Sequence, residues 1–228
     1  MDNLMSARMR QLTLRIRRTH GWKNYVVTVP EEGYILDALE AAGRQDPSIL
    51  FRHSCHHASC GSCGLRVNGR ERLACITPLA TYPQADHSLK LEPLRNFPVI
   101  GDLVVAFEPF MHRLAKVGMP LIRKVESTHA DTGDRPGMRM ENCIECGLCI
   151  SACPMAGTDQ LYAGAAILAA AGRLCEEPRQ RDIQQVLQSV DQEHGLWRCH
   201  AAFECSEVCP AEVDPARLIM WLRGLLIR

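Results

Sequence analysis

Residues 143–154 read CIECGLCISACP and residues 199–210 read CHAAFECSEVCP. Laid one above the other, Cys143, Cys149, Cys153 and Pro154 match Cys199, Cys205, Cys209 and Pro210, while Cys146 falls opposite Ala202. The first run is the C-x2-C-x2-C-x3-C-P pattern with which one chain holds a pair of iron–sulfur clusters. Its fourth cysteine serves the other cluster, because the chain has moved on before it can close around the first. Two such runs must therefore interlock. Cys143, Cys146 and Cys149 take Cys209 as the fourth ligand of a 4Fe-4S cluster, and Cys199 and Cys205 take Cys153. The methyl of Ala202 stands where a fourth thiolate would bind iron, and three thiolates favour a 3Fe-4S cluster. Two rivals stay open: a water or nearby side chain holding a fourth iron, or no third cluster at all. Pro154 and Pro210 turn the chain away after each last ligand and bring no amide hydrogen that needs a partner.

Upstream, HSCHHASCGSCGLRVNGRERLAC places Cys55, Cys60, Cys63 and Cys75 in C-x4-C-x2-C spacing followed by a distant cysteine. That is the plant-type 2Fe-2S pattern, a tight loop around the cluster with the last sulfur supplied by a neighbouring strand. Gly61 and Gly64 let backbone pass close to the cluster and aim amides at it. A structural zinc site more often shows two C-x2-C knuckles. His53, His56 and His57 crowd the loop and raise the thought of a Rieske centre, but they sit beside the four cysteines and not in their places. They read as solvated loop residues able to tune the cluster through hydrogen bonds.

Eleven of the twelve cysteines are thus assigned, leaving Cys175 in an alanine-rich stretch, where it reads as a small buried hydrophobe. Cysteines two residues apart are awkward disulfide partners and convergent metal ligands. Lys plus Arg equals Asp plus Glu, so net charge gives no reason to expect nucleic acid. The basic N-terminus lacks an apolar run with a cleavage site, and its arginines alternate with Leu12, Leu14 and Ile16 as in a half-buried strand. The longest uncharged stretch, QLYAGAAILAAAG, is well short of the roughly 20 residues that span a bilayer.

The apolar pattern predicts strands at QLTLRIRR, YVVTVP, GLRVNG and SLKLEP, and a helix at ILDALEAAG ending at Gly43. Past Asn96 it turns helical, through DLVVAFEPFMHRLAKV, broken at Pro109, to a polar turn-forming stretch, HADTGDRPG, that suggests a domain join. Further helices are expected at QLYAGAAILAAAGRLCEE, RDIQQVLQSVDQEHG and DPARLIMWLRGLLIR, the last with Asp214 as cap and Pro215 in its first turn.

In order, FRHSCHHASCGSCG, RLAC, LRNFPVIGDLV, CIECGLCISACP and WRCHAAFECSEVCPAEVDP resemble the iron–sulfur subunit of succinate dehydrogenase and fumarate reductase complexes, from about Leu12 to Pro215. The resemblance implies an α+β chain: a plant-type ferredoxin (β-grasp) domain over residues 1–100, then an all-helical bacterial-type dicluster domain over 101–228. It also implies a relay of single electrons between the FAD of a flavoprotein subunit and a quinone, in the order 2Fe-2S, 4Fe-4S, 3Fe-4S. Succinate chemistry would belong to the partner. The other implied partners are transmembrane anchor subunits, with heme b among the groups they could carry. The implied location is the cytoplasmic face of a bacterial inner membrane, ahead of the mitochondrial matrix face.

On the quinone side, His200 matches a histidine found near the quinone in many succinate dehydrogenases, and Arg223 falls where related fumarate reductases place a basic residue on the last helix. An ordinary polar role at a subunit interface is the alternative for both. After Cys153 the chain reads PMAGTDQ, without the tryptophans that help bind ubiquinone in one branch, so the resemblance leans toward fumarate reductases and menaquinone. The last helix, rich in leucine around Trp221, is expected to pack in the core and to offer part of its surface to the anchor. A free multi-cluster electron carrier and a zinc-stapled protein are the competing readings. A thiol-driven fumarate reductase is disfavoured because those relatives append further cysteine-rich domains.

Overall fold

The computed structural model describes residues 8–82, 88–119, 140–176 and 183–227, so HADTGDRPG lies outside the described residues. The chain divides into two compact units, Met1–Leu94 with Pro98–Val105, and Arg95–Phe97 with Ala106–Arg228.

The first unit is a mixed sheet of five strands in the order β2-β1-β5-β3-β4: β1 (Met9–Arg18), β2 (Gly21–Pro30), β3 (Gly64–Val67), β4 (Arg70–Leu73) and β5 (Ser88–Glu92). Period-two burial sets the register of the central strand, where Leu12, Leu14 and Ile16 face the core. Leu14 lies opposite Tyr25 of antiparallel β2 and Leu89 of parallel β5. β3 and β4 are joined through Asn68 and Gly69, both at positive φ, as a two-residue hairpin turn demands. Helix α1 (Ile35–Gln45) buries Ile35, Leu36, Ala38, Leu39, Ala41 and Ala42 and runs one turn-fraction past Gly43. On the solvent side of the sheet, Trp22 is covered by the cations of Arg15, Arg17 and Lys90.

Strands β6 (Val99–Gly101) and β7 (Val104–Val105) form a small hairpin in the same unit. Its turn residue Asp102, only 4% exposed, accepts from the amides of Thr19 (2.8 Å) and Leu50 (2.9 Å) and meets Arg18 Nε at 3.0 Å. DLVV is therefore strand and turn, not helix. Helix α2 (Glu108–Val117) begins only afterwards, and Pro109 occupies its first turn instead of breaking it, a place where the missing amide hydrogen costs nothing.

The second unit is helical: after α2 come α3 (Leu148–Ala152), α4 (Pro154–Thr158), α5 (Ala165–Glu176), α6 (Ile183–Val190), α7 (Glu204–Glu207) and α8 (Pro215–Leu226). Helix α5 is apolar almost all round and forms the axis on which α2, α6 and α8 pack. Gly172 allows the closest approach, since a Cβ there would lie 2.9 Å from Leu218 Cδ2. Asp214 caps α8 by accepting from the Arg217 amide at 3.0 Å, as its position before Pro215 predicts. Leu218, Ile219 and Leu222 of α8 are fully buried, so truncating any one to alanine is worth about 2–5 kcal/mol. No helix of the described residues is long and apolar enough to cross a membrane.

Candidate iron-sulfur sites

All twelve cysteines lie in described residues and none is in a disulfide. In the first unit, the loop between α1 and β3 coils because His56, Ala58 and Gly61 adopt positive φ. The coil turns the amides of His57, Ser59 and Cys60 onto Cys55 Sγ, at 3.5, 3.2 and 3.4 Å. Those donors, the His57 amide first, lower the Cys55 thiol to about 7, so the loop itself prepares a thiolate. Cys60 Sγ acts on Cys55 and meets Ser62 Oγ at 3.1 Å, forming an outer pair. Cys63 and Cys75 form an inner pair against the sheet, each 5% exposed, with the Ala74 amide on the Cys63 carbonyl at 3.2 Å. Burial pushes the Cys63 thiol up to about 12. The histidines have other partners: His57 Nδ1 bonds the Cys55 carbonyl, and His53 Nδ1 lies 3.0 Å from His56 Nε2.

In the second unit one cavity is lined by Cys143, Cys146, Cys149 and Cys209, with Leu148, Pro210 and Val213 among the apolar groups around them. Burial pushes Cys146 up to about 12 and Cys149 well up, so these thiols give up their protons only to a cation that replaces them. Gly147, between two of these cysteines, has φ +77°, and a Cβ there would lie 2.8 Å from Phe97 Cζ. Its absence lets the Phe97, Phe107 and Phe110 rings pack under the loop.

A second cavity is lined by Cys153, Cys199 and Cys205, together with Ala202, His200, Phe203 and Tyr162. The two runs thus exchange cysteines: Cys209 stands with the first three and Cys153 with the last two. Ala202 faces the three-cysteine cavity as the spacing predicts. The Ala201 amide points at Cys199 Sγ (3.4 Å), and burial pushes Cys205 up to about 12. The two cavities are neighbours, because α3, which carries Cys149, packs on α7, which carries Cys205.

Both donor sets suit iron–sulfur cores: soft sulfur, apolar walls that exclude water, and backbone amides aimed at sulfur. A buried hydroxyl adds to the fit. Tyr162 is 1% exposed, and its oxygen has no partner in hydrogen-bond geometry although the Cys199 sulfur lies close beside it. An orphaned buried hydroxyl costs about 1–3 kcal/mol, and it points to a group that would accept from it.

His200 is exposed at the rim of the three-cysteine cavity. Arg223 turns inward: its Nη2 donates to the carbonyls of Leu196 (2.9 Å) and Cys199, and its guanidinium covers Trp197. It holds the segment that carries Cys199. Cys175 sits in the core of α5, and burial pushes its thiol up to about 11. Two residues escape sequence reasoning. Asn96 donates from Nδ2 to the carbonyls of Ile150 (2.7 Å), Ser151 (3.2 Å) and Cys153 (3.2 Å), closing the end of α3 between the two cavities. Tyr162 is the other; the sequence pattern places it in a helix starting at Gln160, but α5 begins only at Ala165 and Tyr162 lies in the irregular segment before it.

Comparison with known proteins finds the same two kinds of cluster-binding domain in this order. Residues 8–112 match the 2Fe-2S iron–sulfur cluster binding domain model and residues 139–213 the 4Fe-4S dicluster domain model. The fumarate reductase iron–sulfur subunit of Mycobacterium tuberculosis is 37% identical over 206 residues, 86% of this chain and 81% of that protein. The succinate dehydrogenase iron–sulfur subunit of Coxiella burnetii is 31% identical over 200 residues, 85% of this chain and 84% of that protein. A chain of the Mycobacterium smegmatis Sdh1 complex in the apo form has the same fold, with a TM-score of 0.79 at 24% identity and 96% of both chains covered.

Proposed function

The chain belongs to the iron–sulfur subunits of fumarate reductase and succinate dehydrogenase, and on that premise we propose that it carries single electrons between the FAD of a flavoprotein subunit and a quinone at a membrane anchor. The substrate chemistry lies on the partner chain. Cys55, Cys60, Cys63 and Cys75 hold a 2Fe-2S cluster on a β-grasp frame. Cys143, Cys146, Cys149 and Cys209 hold a 4Fe-4S cluster, and Cys153, Cys199 and Cys205 a 3Fe-4S cluster. Bound there, the clusters supply one-electron redox chemistry, which a two-electron flavin needs in order to serve a quinone.

The chain's own residues do the rest. Amides of His57, Ser59 and Cys60 stabilise negative charge on Cys55, and apolar walls around the other two sites keep water away from sulfur. Asn96 ties together the backbone that feeds Cys149 into one site and Cys153 into the next. His200, exposed on the three-cysteine cavity, is the residue proposed to meet the quinone; Arg223 acts on that side through the Cys199 segment it braces. Exposed Trp197 and Phe203 on the same segment suit docking on an anchor at a membrane face, and menaquinone is the favoured quinone.

The observation that carries this reading is Ala202 on a cavity lined by cysteines from both runs. Ala202→Cys tests it. Restoring the missing thiolate converts the three-iron site to a four-iron one, seen as loss of the paramagnetic signal of the oxidised protein and gain of one iron by Mössbauer spectroscopy. A three-iron signal left unchanged in a variant that retains its other clusters would exclude Ala202 as the position of the missing ligand, and a wild type without that signal would exclude the three-iron assignment.

A further inference from the structure

Beside the first cysteine loop, Glu40 Oε1, His53 Nδ1 and His56 Nε2 converge. The two imidazole nitrogens are 3.0 Å apart, and the carboxylate oxygen is 3.6 Å from each. At 3.6 Å the carboxylate hydrogen-bonds to neither ring. The three separations instead put all three atoms on a circle of radius about 2.0 Å, the length of a zinc–nitrogen or zinc–oxygen bond. We propose that Glu40, His53 and His56 bind a divalent cation of the zinc type, with water completing the coordination.

The site is built from two elements, the outer face of α1 and the loop that follows it. His56 reaches back to His53 because it adopts φ +61°, and Phe51 stacks on the His53 ring at 5.4 Å, fixing its plane. The two imidazoles are 38% and 49% exposed, leaving room for an ion to enter and for water to bind it. The donors are also chemically separate from the sulfurs around them. Imidazole with carboxylate suits a borderline cation, whereas the four cysteines of the adjoining loop are soft ligands committed to iron. This site therefore stands independently of the quinone-linked reading.

The test uses the full chain with its clusters loaded, titrated anaerobically with zinc chloride and studied by zinc-edge X-ray absorption. The proposal expects one bound zinc per chain with a nitrogen and oxygen shell at about 2.0–2.1 Å. His53→Ala and His56→Ala should each weaken binding at least tenfold in competition with a chelator, while the reduced 2Fe-2S signal persists. Should either variant disturb that cluster, Glu40→Gln on the helix still decides, with the same loss expected. No retained zinc, a sulfur shell at about 2.3 Å marking zinc in place of a cluster, or equal affinity in wild type and all three variants would overturn it.

Discussion

Tyr162 and Asn96 show how single polar groups set the chemistry of a site made of sulfur. The Tyr162 hydroxyl, buried beside Cys199 and without a partner, is placed to donate to a negatively charged group held in the three-cysteine cavity. Such a donor favours the reduced, more negative form. If the preference is about 1 kcal/mol, Tyr162→Phe lowers the one-electron potential of that site by about 40 mV, read by a redox titration of its paramagnetic signal. Asn96 satisfies the carbonyls at the end of α3. Asn96→Ala removes that donor, costs about 1–3 kcal/mol, and lowers iron content at the two later sites while the 2Fe-2S absorbance is retained. The cysteines were legible because their spacing is local chemistry. Asn96 was not, since its partners lie more than fifty residues along the chain, and no local pattern announces such a contact.

Elements were legible where periodicity was strong and were misread where a side chain from elsewhere decided. The alternation of β1 and the capped start of α8 gave themselves away, whereas GLRVNG, expected as one strand, ends at Val67 and turns back through Asn68 and Gly69 into β4. DLVV was misread too, because its hairpin depends on Asp102 gathering the Thr19 and Leu50 amides. Burial opposes ionisation of Asp102, but those amides and Arg18 outweigh it, so its carboxyl is held below the usual range. Asp46 is also held low, by Lys23 first and then by Ser48 and Tyr25. The sign follows: below about pH 4 the unfolded chain binds protons at these positions that the folded chain refuses, so stability falls as pH drops. Asp102→Asn should cost about 3 kcal/mol near neutral pH and flatten that acid-side loss, measured as melting temperature against pH.

Across the whole molecule, each unit has its own core, and the grouped cysteines sit on loops and on the short helices α3 and α7 between elements that those cores hold in place. In the helical unit this brings cysteines from two distant runs to common cavities, one beside the other where α3 packs on α7. That exchange was readable because each run ends in a cysteine and a proline that cannot close on its own cluster. The proposed electron relay accordingly rests on spacing and packing together. Its central claim, three different clusters in one chain, meets its most direct test in low-temperature electron paramagnetic resonance on anaerobically purified protein, oxidised and then reduced with dithionite. The account predicts a three-iron signal in the oxidised sample that disappears on reduction as 2Fe-2S and 4Fe-4S signals rise. An intact sample with signals only in the reduced state, all from conventional clusters, would contradict it.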